Sequence, residues 1–157
     1  MVKISLCMIV KNESAVLARC LDSIADLMDE IIIVDTGSTD NTKEIAAQYT
    51  SRIYDFKWTS DFSAARNFSF SKATMEYIYT ADADEILDDA NRERFLRLKG
   101  ALLPEIEIVQ MKYVTQGTFD TVLNAKNGIP AKAVPQTAHV YLDRSDSRDR
   151  PLNAGHF

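Results

Sequence analysis

Four acidic side chains stand where a hard cation or a polar ligand would be held: Glu13, Asp35, Asp82 and Asp84. Asp82 and Asp84 form an Asp-Ala-Asp triplet that follows directly on the apolar stretch from Glu76 to Ala81. Asp35 closes a second such stretch, Glu30 to Asp35, and Glu13 comes soon after a third, Ile4 to Val10. Carboxylates gathered at one rim repel one another, an arrangement that costs stability unless a positive charge offsets it. Magnesium or manganese does this well, because each prefers oxygen ligands and combines one or two carboxylates with phosphate oxygens. In an Asp-x-Asp turn, one carboxylate can meet the metal while the other bonds a ribose hydroxyl or a metal-bound water. The plainer reading is a solvated acidic loop, Asp82 to Asp89, capping the next helix. The triplet alone does not separate the two. Its place at the end of a buried strand, with Asp35 placed alike, favours a site.

The elements that must position these acids follow from the apolar pattern. Ile4–Val10 and Glu30–Asp35 are continuous apolar runs rich in branched residues, the mark of strands covered on both faces. Between them Val16, Leu17, Cys20, Leu21, Ile24 and Leu27 recur at helical spacing, with Asn12 or Ser14 available as caps. The polar turn from Thr36 to Asn41 predicts a short helix over Thr42–Tyr49. A third strand is expected at Arg52–Phe56, a helix within Asp61–Ala73, and a fourth strand at Glu76–Ala81. Asn91–Leu103 reads as a helix stopped by Pro104, and Ile106–Val114 and Ala138–Leu142 as later strands, with irregular chain marked by Gly117, Gly128 and Pro130 between them. Alternation of this kind predicts an α/β fold, a mainly parallel sheet with helices on both faces. In such sheets ligands bind beyond the carboxyl ends of the strands, so Asp35 and Asp82 are expected at one crevice. Residues 1–142 are expected to form one domain, and the tail 143–157, dense in Asp, Arg and Ser, to be poorly ordered.

Composition narrows the function classes. The 157 residues are 46% hydrophobic and 26% charged, in the range of globular chains. A net charge of -5 argues against a nucleic-acid partner, which would demand a basic patch. Cys7 and Cys20 lie in apolar runs and do not suggest a disulfide framework, so a reducing cytoplasm is expected. The apolar start is short, interrupted by Lys3 and followed by Lys11, Asn12 and Glu13, unlike a signal peptide; no transmembrane segment is expected either.

Four stretches together resemble glycosyltransferase family 2, an inverting family with the GT-A fold. They are Ser5-Leu6-Cys7-Met8-Ile9-Val10-Lys11-Asn12-Glu13, the run from Ile31 to Thr42 containing Val34-Asp35-Thr36-Gly37-Ser38-Thr39-Asp40, the run Trp58-Thr59-Ser60-Asp61-Phe62-Ser63-Ala64-Ala65-Arg66-Asn67, and Ala81-Asp82-Ala83-Asp84-Glu85. The third is similar to a bacterial branch of that family. The resemblance implies a nucleotide-sugar donor, Mn2+ or Mg2+ as cofactor, and roles for particular residues. Glu13 would bond the ribose or base. Asp35 would accept from the base edge, uracil N3–H, and would reject cytosine, whose N3 is itself an acceptor. Arg66 would face the diphosphate with its fixed cationic fork. Asp82 would sit near ribose and metal, and Asp84 would ligate the metal.

Each residue also has a plainer role. Glu13 could favour a helix amino terminus, Asp35 could cap its turn, Arg66 could lie on a helix surface, Asn67 could support the loop, and Trp58 could pack. His139 and His156 have no metal-ligand spacing. The catalytic base is not assignable; Asp120, Asp143 and Asp146 are candidates by chemistry alone. The resemblance also implies an acceptor-side part that is short here, without the expected His-Glu pair near His156, and hence donor binding with little transfer. Two other classes stay open: a non-catalytic nucleotide-sugar-binding module, and a metal-dependent nucleotidyltransferase, which a basic Gly-rich loop after the first strand would have favoured. The sugar, the acceptor and the oligomeric state are not legible.

Overall fold

The computed structural model describes residues 1–103, 106, 108–111 and 138–142. Six strands form one sheet: β1 (Ile4–Val10), β2 (Glu30–Asp35), β3 (Ile53–Asp55), β4 (Tyr77–Thr80), β5 (Ile108–Met111) and β6 (Ala138–Leu142), in the order β3-β2-β1-β4-β6-β5. The first four run parallel, and β6 lies antiparallel between β4 and β5. The chain leaves β1 toward β2 and β3, then returns to place β4 on the other side of β1. The strand order therefore reverses between β1 and β4, where an open α/β sheet leaves a crevice.

Alternation along the strands decides what each face buries. Ile4, Leu6, Met8 and Val10 point to one side, where α1 (Leu17–Ile24), α2 (Thr42–Ala46) and α4 (Asp89–Ala101) supply Leu17, Cys20, Leu21, Ile24, Ala46 and Phe95. Cys7, Ile32, Val34 and Ile78 point to the other, against Phe68 and Phe70 of α3 (Phe62–Phe70). Each fully buried aliphatic or aromatic side chain contributes roughly 1.5–3 kcal/mol. Both faces are covered, as continuous apolar strands require.

The amino edge of the sheet holds buried charges, each with a partner. Glu30, only 9% exposed, pairs with Arg52 and accepts from Ser5 Oγ at 2.5 Å and Thr74 Oγ1 at 2.8 Å. Lys99 of α4, also buried, donates to the Leu27 carbonyl at 2.9 Å and to Asp29 at 2.5 Å.

β1, β2 and β6 have the expected limits, β3 and β4 are shorter, and α4 lies at Asp89–Ala101 rather than Asn91–Leu103. α2 ends at Ala46 rather than Tyr49, and α3 spans Phe62–Phe70 within the expected 61–73. Neither Asn12 nor Ser14 caps α1, whose N-cap is Val16 with no side-chain bond. The tail 143–157 and the irregular chain about Gly117, Gly128 and Pro130 lie outside the described residues. No helix among the described residues is long and apolar enough to cross a membrane.

Candidate nucleotide site at the carboxyl edge

Asp35 is 1% exposed at the end of β2. Its Oδ1 accepts from the backbone amides of Gly37 and Ser38, both at 2.9 Å, an Asx-type turn eased by the positive φ of 102° at Gly37. Its Oδ2 has no hydrogen-bond partner, alone among buried side-chain nitrogen and oxygen atoms of the described residues. One oxygen caps the turn, and the other is a buried acceptor left open, which costs free energy until a donor arrives.

Asp82 and Asp84 follow β4 with the strand's alternation carried on. Ala81 and Ala83 are buried at 6% and 5% exposure, while both carboxylates are exposed. The small alanines face the core, so the acids must face the rim. A narrow cleft at the β1–β4 reversal is lined by Cys7 and Ile9 of β1, Arg66 and Ser69 of α3, and Thr80 and Asp82. It brings a cation and an acid of the predicted set together. Arg66 owes its position to α3, whose N-cap Asp61 accepts from Ser63 N at 2.8 Å and Ala64 N at 3.1 Å.

The electrostatics of the rim bear on the metal. Burial pushes the Glu13 carboxyl above its ordinary value, and the negative charges of Asp84, Asp40 and Asp82 push the same way. Glu85, which the sequence reading passed over, is pushed up to about 7, first by burial and then by Asp82 and Asp84, against the pull of Arg66. The signal for it was available: a third acid directly after two others at the end of a buried strand. Cys20 is buried beneath this rim and donates weakly to the Asp82 carbonyl at 3.5 Å; burial first, then the same acids, push its thiol up to about 12, so it is inert. A divalent cation would relieve every one of these repulsions, and two exposed carboxylates are the share a protein usually gives to a metal that also holds phosphate oxygens. Among the described residues no group of three or more His, Cys, Asp or Glu side chains stands ready to hold a metal alone. The donor set fits a cation completed by its ligand.

Of the remaining candidates, Trp58 is half-buried and packs edge-on against the exposed ring of Phe62 at 4.7 Å. Asp120, Asp143, Asp146 and His156 lie outside the described residues, and of His139 only the backbone, in β6, is described.

The sheet order, with acid-ended strands around one reversal point, is that of an α/β domain of the GT-A type. The chain belongs to the glycosyl transferase family 2, whose sequence pattern matches residues 5–157. It is 47% identical over 87 residues to a TPR repeat-containing protein of Synechococcus elongatus, covering 55% of this chain and 22% of that one. It is 36% identical over 114 residues to the glycosyltransferase SunS of Bacillus subtilis, covering 70% and 27%. The chain thus spans about a quarter of these relatives' length. In fold it is similar to the glucosyl-3-phosphoglycerate synthase of Mycobacterium tuberculosis solved with Mn2+ and UDP-glucose, with a TM-score of 0.58, 21% identity, and coverage of 90% of this chain and 56% of that one.

Proposed function

We propose that this chain binds a UDP-sugar through Mn2+ or Mg2+ and serves transfer of the sugar, with inversion, to an acceptor hydroxyl. The observation that carries the reading is the open, buried Oδ2 of Asp35. A carboxylate oxygen there accepts a hydrogen bond from uracil N3–H and refuses cytosine, which offers no hydrogen at N3. Glu13, whose carboxyl is raised by burial and by the charges of Asp84, Asp40 and Asp82, would accept from the ribose or base. Asp84 and Asp82 would hold the cation, which when bound supplies a Lewis acid for the diphosphate oxygens. Arg66, in the cleft beside Asp82, stabilises the charge that grows on the departing diphosphate. The fold neighbour solved with Mn2+ and UDP-glucose supports the donor class. The base that takes the acceptor proton is sought beyond the described residues, and the two buried thiols suit a reducing cytoplasm.

The test is calorimetry of UDP with the purified chain, with manganese and with excess chelator. UDP is expected to bind only with the cation, because the acidic rim repels a bare diphosphate. Equal affinity in chelator sinks the reading.

A further inference from the structure

After β1, the successive backbone amides of Asn12, Glu13 and Ser14 are each taken by a side chain of the β2–α2 loop or of the first residue of α2. Asn12 N donates to Ser38 Oγ at 2.9 Å, Glu13 N to Thr42 Oγ1 at 2.8 Å, and Ser14 N to Asp40 Oδ2 at 3.1 Å. The bonds also run the other way, from Thr39 N to Asn12 Oδ1 at 2.7 Å. Asp40 Oδ1 then accepts from the Thr42 hydroxyl at 2.5 Å and the Thr42 amide at 3.1 Å, so Thr42 is a relay between Asp40 and Glu13. Thr42 is fully buried, and Asn12 is held in the left-handed region, φ 56°. A non-glycine residue persists there only where its surroundings over-determine it.

In many mononucleotide-binding folds, amides in this place cradle phosphate. Here an internal carboxylate and two hydroxyls occupy them. The loop of residues 11–14 is therefore closed to the diphosphate and offers its side chains instead. Ser38 ties the assembly to Asp35, since its own amide donates to Asp35 Oδ1.

We propose that Asp40 and Thr42 are positioning residues that, by capturing the amides of Glu13 and Ser14, fix Glu13 against the turn that follows Asp35 and turn the first loop from a phosphate cradle into a wall of the nucleoside site. This rests on the reading of the site as one for a uridine nucleotide. The device leaves the diphosphate to the Asp82–Asp84 rim and Arg66, which divides the donor's recognition into a nucleoside half and a phosphate half.

The experiment is a binding cycle read by calorimetry of UDP with Mn2+, and by competition with uridine. Thr42→Val, close in shape but without the hydroxyl, is expected to weaken UDP and uridine by the same factor, about tenfold, as loss of a buried charge-linked hydrogen bond allows. Thr42→Ser restores both. In a Glu13→Ala background, Thr42→Val adds no further loss, because its effect passes through Glu13. Asn12→Gly, which keeps the left-handed backbone and removes only the side-chain bridge, reads the same coupling if Thr42→Val does not fold. A folded Thr42→Val with unchanged uridine affinity, or an equal loss with and without the Glu13 side chain, overturns the proposal. Failure of the wild-type chain to bind UDP with Mn2+ overturns the uridine-nucleotide reading instead.

Discussion

The two oxygens of Asp35 differ in a way that a single substitution can read. Because Oδ1 accepts two backbone amides, an asparagine at this position must keep its oxygen there and turn its NH2 toward the open side. Asp35→Asn therefore presents a donor where the carboxylate presented an acceptor. It is expected to weaken UDP by about 1.5–3 kcal/mol, the range for a buried hydrogen bond to a charged group, and to favour CDP relative to UDP. Competition between the two nucleotides measures this, and unchanged base preference would return Asp35 to a turn cap alone. Glu85 supplies a second residue-level test. Its folded-state value of about 7 stands above the ordinary 4.5, so the folded protein binds this proton more tightly than the unfolded chain. The resulting stability is complete below about pH 4.5 and is lost as pH rises through about 7. Melting temperatures of the wild type should accordingly fall relative to Glu85→Gln between pH 5 and 8, a range that brackets the shift. Parallel curves would show that the carboxyl titrates normally. Manganese should narrow the gap at the alkaline end, since a cation beside Asp82 and Asp84 favours the ionised form.

Elements sort into those that local pattern specifies and those it does not. β1, β2 and α1 were legible because apolar period and chain length agree over many residues. The candidate acids Asp35 and Asp82 could be placed for the same reason, one ending β2 and the other following β4. Helix entry was less legible. Asn12 and Ser14 look like caps for α1, yet a loop distant in sequence takes their side chains, Thr39 donating to Asn12 Oδ1 and the Ser14 hydroxyl bonding Asp40, which no local signal reveals. The insertion of β6 between β4 and β5, antiparallel, was not legible either, since the same alternation serves both strand directions. Asp61 shows local chemistry at work, capping the helix that carries Arg66. Asp61→Ala should lower unfolding free energy by about 1 kcal/mol, within the range for lost N-caps. Denaturant titration checks it, and a change below a few tenths would mean the cap is redundant.

At the scale of the molecule, the two edges of the sheet treat charge differently. At the amino edge Glu30 faces Arg52 and Asp29 faces Lys99. At the carboxyl edge the charges of Asp82 and Asp84 raise the proton affinity of Glu13 and Glu85, with Arg66 the opposing cation felt by Glu85. Removing one of these acids relieves repulsion, so Asp84→Ala should hold or slightly raise the melting temperature without metal. The same variant should lose the stabilisation that manganese and UDP together give the wild type. An unfolded Asp84→Ala would instead make Asp84 a structural cap. The uneven edges carry a consequence for directed evolution. On the proposed reading, selection for heat resistance alone finds gains among substitutions that neutralise the acidic rim, and those at Asp82 or Asp84 remove affinity for the donor. The amino edge, already neutralised, offers little to that selection. Thermostable descendants that still bind nucleotide must therefore draw their stability from elsewhere, from packing and loops, and a library that screens for heat and binding together will leave the rim acids unchanged.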